Sequence, residues 1–152
     1  MVAGDADPVN LRPPANGEEA DLFAIHRAVF RPHIERIWGW DEEWQTANFS
    51  RELASATTSV IQVDSVTAGY LQSRDEGSRI YVQNIALLPA FQGKGLGTRL
   101  MKELQAKAAL RGVPLELSVF RGNDPARRFY ERLGFRETGE SHTHTQMAWR
   151  AI

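Results

Sequence analysis

Three glycines at alternate positions, Gly93, Gly95 and Gly97, stand at the start of an amphipathic stretch, Leu96–Arg111. Glycine lets the backbone approach a ligand closely and direct several N–H groups to one side. The amphipathic stretch carries apolar residues at helical spacing, so its first turn adds unpaired N–H groups and the positive end of a helix dipole. A glycine loop followed by a helix start is a typical cradle for phosphate.

The spacing of these glycines separates several kinds of phosphate site. A Walker loop has a Lys-Ser or Lys-Thr pair after its last glycine, whereas this chain has Leu96-Gly97-Thr98. The dinucleotide fingerprint has the pattern Gly-x-Gly-x-x-Gly after the first strand of its fold, whereas these glycines are spaced two and two and lie past mid-chain. The spacing therefore argues against a nucleotide-binding enzyme. A tight strand-to-helix turn without a ligand stays open as an alternative.

The elements that must position this loop follow from the apolar pattern. Residues 80–88 form an apolar run that predicts a buried strand ended by Pro89, and the helix that follows ends at Gly112. Strands and helices in mixed order predict an α+β fold around one mixed sheet. The other predicted helices cover residues 18–30 and 34–53, interrupted at Pro32, with Asp41 as an N-cap. Asn123-Asp124-Pro125 opens a further short helix, in which Pro125 takes the first position if Asp124 is the N-cap. The other predicted strands are a short edge strand over 9–12 and strands over 58–63, 67–73, 115–120, 135–140 and 143–149.

Length and composition bound the class of protein. The 152 residues, 42% of them hydrophobic, suit a single domain over residues 1–152, with residues 1–7 expected to be flexible. The chain contains no cysteine, which excludes disulfides, thiolate zinc sites and a cysteine nucleophile. No apolar run approaches the ~20 residues of a bilayer-spanning helix, and the start lacks the features of a signal peptide. We therefore expect a cytoplasmic protein without a membrane partner.

The net charge of −1 argues against nucleic acid as a partner. The distribution of the charges along the chain is more informative. Residues 92–132 carry nine Lys or Arg against four Asp or Glu. This local excess of positive charge fits a polyanionic ligand at the glycine loop. The alternative is that the charges only solvate helix faces.

A second pattern follows the glycine loop after one predicted helix and one predicted strand: Asn123-x-x-Ala126-x-x-Phe129-Tyr130-Glu131-x-Leu133-Gly134-Phe135. Together with Gln-x-x-Gly-x-Gly at Gln92, Gly95 and Gly97, it resembles the two conserved blocks of the GNAT superfamily of acetyl-coenzyme A-dependent N-acetyltransferases. The two blocks span residues 80–135, over a third of the chain. The resemblance implies an α+β GNAT acyltransferase fold, with a central mixed, mostly antiparallel sheet flanked by helices.

The resemblance also implies a reaction. The acetyl group of acetyl-coenzyme A would pass to a primary amine by direct attack in a ternary complex, while a core-strand N–H stabilises the oxyanion. The acceptor would be a small-molecule or peptide amine, the protein would be a monomer or homodimer, and no metal would take part. The alternative is a non-catalytic coenzyme A-binding regulatory module of the same fold.

The same resemblance assigns residues to the cofactor. The loop would hold the pyrophosphate through backbone amides, and the core strand would pair with the pantetheine arm like an added strand. Asn123 would either bond to that arm or cap its own helix. The residues assigned to the cofactor are Ile85, Ala86, Leu87, Gln92, Gly93, Lys94, Gly95, Leu96, Gly97, Thr98, Asn123 and Arg127.

Two residues are implied in catalysis. Tyr130 would lie near the thioester sulfur and assist departure of the thiolate; its alternative is a helix residue with a solvated hydroxyl. Gln83 stands where many relatives carry a glutamate as general base, and glutamine cannot accept a proton at neutral pH. Gln83 would orient a water molecule or pack as a hydrogen-bonded polar group. We expect the enzyme to select the neutral amine or to relay its proton through water at Gln83, with His33 as the second candidate base.

In the fold that the resemblance implies, the first two helices form the wall of the acceptor site. Here that region provides His33, Trp38 and Trp40 as candidate substrate-binding residues, because aromatic rings attract an ammonium group. The alternative is that the tryptophans fill the core. His142 and His144 are expected to share one side of a strand, without the further ligands of a metal site. The identity of the acceptor amine stays open.

Overall fold

The computed structural model describes residues 9–152, so the start that was predicted to be flexible lies outside the described part. Within that range, no helix is long and apolar enough to cross a membrane. The strands are β1 (Val9–Arg12), β2 (Thr57–Val63), β3 (Val66–Asp75), β4 (Ile80–Leu87), β5 (Leu115–Phe120), β6 (Arg136–Glu140) and β7 (His144–Trp149). The helices are α1 (Glu19–Ile37), α2 (Glu42–Ser55), α3 (Leu96–Arg111) and α4 (Asp124–Arg132), and a 3-10 turn (Pro89–Phe91) follows β4.

The strands form one sheet in the order β1-β2-β3-β4-β5-β7-β6. Every neighbouring pair is antiparallel except β4 and β5, which are parallel because α3 crosses over between them. Helices α1 and α2 cover one face through Leu22 and Phe49, and α3 and α4 cover the other through Leu100 and Tyr130. The predicted α+β fold with a mixed, mostly antiparallel sheet is confirmed.

The parallel strands β4 and β5 run side by side only briefly, from the pair Ile80–Leu115 to the pair Val82–Leu117. Beyond Val82, β4 pairs with β3 alone, and beyond Leu117, β5 pairs with β7 alone. Each strand thus has an edge without a ladder partner among residues 9–152, although both lie at the centre of the sheet. The two strands part there and open a cleft.

A β-bulge in β4 lies at Gln83. Asn84 is opposite Gln72, whereas Val82 is opposite Ser73, so Gln83 is the extra residue. The extra residue lets Val82, Ile85 and Leu87 pack on the same side, against the core under α3. The Gln83 side chain reaches α2 on the opposite face.

The predicted helix interruption at Pro32 is wrong. Helix α1 continues through Pro32 to Ile37, although an interior proline removes one helical hydrogen bond and costs roughly 3 kcal/mol. Ile34, in the turn after the proline, is only 4% exposed, so apolar burial on both sides of Pro32 holds the helix together. Asp41 is confirmed as the N-cap of α2, because its carboxylate accepts the Trp44 N–H at 3.1 Å.

The sequence offered both Asn123 and Asp124 as caps of α4. Asn123 is the N-cap, and its side-chain oxygen accepts the Ala126 N–H at 3.3 Å. Asp124 and Pro125 are therefore the first two helical residues. Asn and Asp cap helices about equally well, so residue type alone does not separate the two. Gly134, with φ +96°, follows the helix end as predicted.

Candidate active site

The cleft between β4 and β5 has a volume of about 1290 Å³. One wall comes from α1, α2 and the segment that joins them. The other comes from α4 and the loop between β4 and α3. The fold thus brings together most of the predicted site residues, and those that border the cleft are His33, Trp38, Gln83, Ile85, Leu87, Gln92, Gly93, Gly95, Gly97, Thr98, Asn123 and Tyr130.

The loop before α3 carries a row of unpaired backbone N–H groups. Those of residues 93–98 donate to no atom within residues 9–152. Gly93 (φ +72°) and Gly95 (φ +81°) adopt left-handed conformations, which favour glycine. The Gln92 amide donates to the Leu87 carbonyl at 2.8 Å, and this bond ties the loop to the end of β4.

These features fit a pyrophosphate group, since the N-terminus of α3 adds its dipole to the free N–H groups. Lys94 is exposed on the loop, and the Leu96 side chain is buried in the core beneath it. The buried Leu96 can therefore serve such a group only through its backbone N–H. A Cβ atom at Gly97 would lie 3.4 Å from the Phe129 ring, so a larger side chain there would project into the cleft or displace that ring.

Ile85, Ala86 and Leu87 lie in the part of β4 beyond Val82, which has no partner on the β5 side within the described chain. The Ile85 and Leu87 side chains border the cleft, whereas the Ala86 side chain is buried under α1 and α2. The backbone groups along that edge are available to a ligand that lies beside the strand.

Tyr130 borders the cleft from α4 and is 8% exposed. Its ring packs edge-on against Phe129 and Phe135, with centroids 5.1 and 5.5 Å away. Burial raises the pKa of Tyr130 well above its usual value. The hydroxyl therefore stays protonated at physiological pH and is a hydrogen-bond donor.

Asn123 and Arg127, the other α4-end residues predicted to contact the cofactor, lie in different places. Asn123 borders the cleft while its side-chain oxygen caps α4. Arg127 lines a smaller depression beside Asp124 and Glu140. That depression adjoins the cleft at Asn123, which lines both.

The Gln83 side chain lies between two charged residues. Arg74 of β3 donates to the side-chain carbonyl oxygen of Gln83. The side-chain NH2 of Gln83 donates to the Glu52 carboxylate of α2 at 2.7 Å. A guanidinium only donates and a carboxylate only accepts, so the two neighbours determine which end of the amide faces which. Glu52 itself borders the cleft.

Sequence reasoning missed Glu52. Burial raises the pKa of Glu52, and the hydrogen bond from Gln83 opposes that rise only in part. A signal was present, because Gln45, Phe49 and Glu52 fall on one helix face, and Gln45 and Phe49 are buried. An acid on the buried side of an amphipathic helix marks a candidate functional group.

Phe120, at the end of β5, is the centre of an aromatic cluster on the α1 side of the cleft. The His33 ring stacks on it, with centroids 5.8 Å apart and planes 12° apart. The rings of His144 and Trp38 lie 4.9 and 6.1 Å from it. Trp38 is 57% exposed, so the cluster reaches the surface. Phe120 was not among the predicted residues, and His142 lies in the turn before β7 rather than on the strand with His144.

Trp40 and His33, the other two candidates for the acceptor wall, differ in their surroundings. The Trp40 ring packs on His26, with centroids 5.9 Å apart, and its Nε1 donates to Glu42 at 2.8 Å. This packing corresponds to the core-filling alternative. His33 borders the cleft, and burial, together with the Arg36 charge, lowers its pKa. His33 is therefore neutral at physiological pH.

The parted strands, the glycine loop and the layered helices define an acyltransferase of the GNAT type. Residues 20–135 match the Acetyltransferase (GNAT) family model, and the chain belongs to that family. This confirms the resemblance that the two sequence blocks indicated.

A curated relative is the N-alpha-acetyltransferase RimI of Mycobacterium tuberculosis (strain ATCC 25618 / H37Rv), which is 35% identical over 134 residues, covering 82% of this chain and 84% of the relative. The PaiA N-acetyltransferase from Thermoplasma acidophilum, solved in complex with coenzyme A, superposes with a TM-score of 0.75 at 16% identity, over 95% of this chain and 99% of that one. The ribosomal-protein-S18-alanine N-acetyltransferase from Escherichia coli superposes with a TM-score of 0.69 at 19% identity, over 94% of each chain. At such identities the two structures support the fold alone.

Proposed function

We propose that this chain transfers the acetyl group of acetyl-coenzyme A to a primary amine, the α-amino group of a peptide or protein. The observation that carries the proposal is the cleft between the parted strands. The unpaired N–H groups of residues 93–98 lie on one side of it, and aromatic rings and the Glu52 carboxylate lie on the other. The likeness to an N-alpha-acetyltransferase supports the α-amino group as the acceptor.

The cofactor would lie along the loop and the free edge of β4. Residues 93–98 would bind the pyrophosphate through their N–H groups, with Gln92 holding the loop in place. The backbone of Ile85 to Leu87 would bind the pantetheine arm in the manner of an added strand. Held in this way, the thioester would be oriented toward the acceptor wall, and orientation alone can supply several kcal/mol of the barrier, up to about 7–11.

Tyr130 would assist departure of the thiolate through a hydrogen bond. A free thiol has a pKa near 8.5, and burial raises the pKa of Tyr130 even above its ordinary value. Full transfer of the tyrosine proton to the thiolate is therefore strongly uphill. A protonated hydroxyl that donates to the sulfur stabilises the charge that develops there.

The acceptor would enter from the side of α1 and α2. The cluster around Phe120 offers rings to the first side chains of a peptide, and Trp38 extends it to the surface. Glu52 and Asp41 on the same wall attract the ammonium group of an N-terminus. The single domain over 1–152, the cytoplasmic location and the choice between monomer and homodimer stay predictions.

The test is thiol release from acetyl-coenzyme A with a panel of tetrapeptides that differ in their first residue, followed by mass spectrometry to locate the acetyl group. Each peptide is paired with an N-formylated copy that carries an internal lysine. We expect acetylation of the free α-amino group only. Acetylation of the blocked lysine peptides, or of small amines alone, would overturn the acceptor class. Coenzyme A binding without thiol release from any amine would favour a non-catalytic module.

A further inference from the structure

We infer that Glu52 of α2 is the general base of this active site and that Gln83 is a positioning residue that holds its carboxylate. The base thus comes from the helix that faces β4, and position 83 of β4 holds it in place. This inference rests on the proposed function, because a base is needed only if the acceptor arrives as an ammonium ion.

The geometry comes from the bulge in β4. The extra residue at that point, Gln83, has no partner in the register between β3 and β4, and its amide donates to Glu52 at 2.7 Å. Glu52 is half-buried and borders the same cleft as Tyr130. The carboxylate therefore lies beside the point where β4 and β5 part. Under the proposed function, the acceptor amine would approach the thioester at that point.

The hydrogen-bond chain explains why position 83 carries an amide. Arg74 donates to the carbonyl of Gln83, and Gln83 donates to Glu52. A glutamate at position 83 would put a second carboxylate within hydrogen-bond distance of Glu52, and two such groups share one proton. With glutamine there, Glu52 is the single titrating group of the pair.

The charged groups around Glu52 suit a base. Burial raises the pKa of Glu52, and this effect outweighs the Gln83 hydrogen bond and the charges of Arg74 of β3 and Arg51 of α2, which favour the ionised form. Tyr70 of β3 stays protonated, because burial raises its pKa well above the usual value. A carboxylate whose pKa is shifted toward neutral accepts a proton more effectively than an ordinary one.

The proton balance is as follows. Glu52 takes one proton from the acceptor ammonium, so that an N–H bond breaks and a carboxyl O–H bond forms. The freed nitrogen lone pair attacks the thioester carbonyl, and the C–S bond breaks as the amide forms. The second proton lost by the nitrogen ends on the departing sulfur, whose charge the Tyr130 hydroxyl stabilises meanwhile. Glu52 then returns its proton to water.

The experiment compares Glu52→Gln with the parent enzyme, using the tetrapeptide of the panel that gives the fastest thiol release. We expect kcat/KM at pH 7 to fall by about 10²–10³-fold with unchanged acetyl-coenzyme A affinity by calorimetry. The deficit should shrink by about tenfold per pH unit only below the α-amino pKa of about 7.7–8.0, because the variant depends on amine that is already neutral. About a tenth of that amine is neutral at pH 7, so the deficit that persists above the amine's pKa reflects the lost proton acceptor in the attack itself. Glu43→Gln, an exposed change on the same helix, is the matched control and should keep the parental profile.

A second variant tests the role of Gln83. Gln83→Glu should move the acid limb of the kcat/KM profile to higher pH, because a second carboxylate raises the pKa of the pair. An unshifted limb would overturn the positioning role. Parental activity of Glu52→Gln, or a deficit that is equal at every pH, would overturn Glu52 as the base.

The outcome for the parent enzyme separates the two proposals. Thiol release with a small primary amine but with no peptide overturns only the acceptor class, and the comparison is then made with that amine. A parent enzyme that releases thiol with no amine overturns the proposed function and Glu52 as base together.

Discussion

Tyr130 combines a buried ring with a hydroxyl at the edge of the cleft. Its removal should affect only the step in which the thiolate departs. We expect Tyr130→Phe to lower kcat by roughly 10²-fold, the low end for loss of a hydrogen-bond donor to a developing charge, while acetyl-coenzyme A affinity stays nearly unchanged. Steady-state kinetics and calorimetry measure the two quantities. Turnover of the phenylalanine variant at the parental rate would show that the Tyr130 hydroxyl takes no part in the reaction and that the residue serves only in packing.

Glu52 carries a second prediction at the residue scale, on stability. Burial raises the pKa of Glu52 in the folded protein, so the folded state binds this proton more tightly than the unfolded chain. The resulting stabilisation is present below the unfolded pKa of about 4.3 and is lost as pH rises through the folded pKa. Because Glu52→Gln cannot titrate, its free energy of unfolding relative to the parent should increase from about pH 4 to about pH 8. Urea unfolding at both pH values measures this difference. A difference that does not change with pH would contradict the raised pKa.

At the scale of elements, residues that end helices and strands predicted α3 and β5 with their observed bounds. Gly112 and Pro114 separate them, and such signals act within a few residues. The bulge at Gln83 was not predictable, because it exists only in the register between β4 and β3. The contact between Gln83 and Glu52 joins residues 31 positions apart, so no local pattern contains it. The glycine loop was predictable because its residues are contiguous in the sequence. The opposite wall of the cleft was not, because tertiary packing brings its residues together from separate elements.

The close approach of β3 and β4 gives a prediction at the same scale. A Cβ atom at Gly69 would lie 1.8 Å from the Ala86 carbonyl oxygen, so a side chain there must push the two strands apart. We expect Gly69→Ala to lower the free energy of unfolding by about 2–3 kcal/mol in urea titrations. Gly139→Ala is the control, because its Cβ would meet only the flexible end of Gln146, at 3.2 Å. Equal effects of the two substitutions would show that the strands can separate at little cost.

At the scale of the whole molecule, the sheet is split at its centre, where β4 and β5 part. Both faces of the sheet, each covered by two helices, border the cleft that opens there. The core under α3 and α4 supports the glycine loop, and the core under α1 and α2 supports the opposite wall of the cleft. A ligand that binds the loop and the free edge of β4 touches elements from both sides of the split. Its binding energy therefore adds to the stability of the entire fold through linkage.

That linkage provides a direct test of the glycine loop. At a concentration of 100 times its Kd, acetyl-coenzyme A should stabilise the parent protein by about 2.7 kcal/mol, which raises Tm by roughly 5–10 °C. In Gly97→Glu, the new side chain would start beside the Phe129 ring, at the edge of the cleft. Under the proposed function the pyrophosphate binds there, and the added charge would repel its phosphates. We expect this variant to fold without ligand and to lose the Tm shift. Ala106→Glu, exposed on the same helix, adds the same charge away from the loop and should keep the shift. A normal Tm shift in Gly97→Glu would show that the glycine loop does not bind the cofactor. Loss of the shift in both variants would show that the added negative charge alone weakens binding, wherever it lies on the helix.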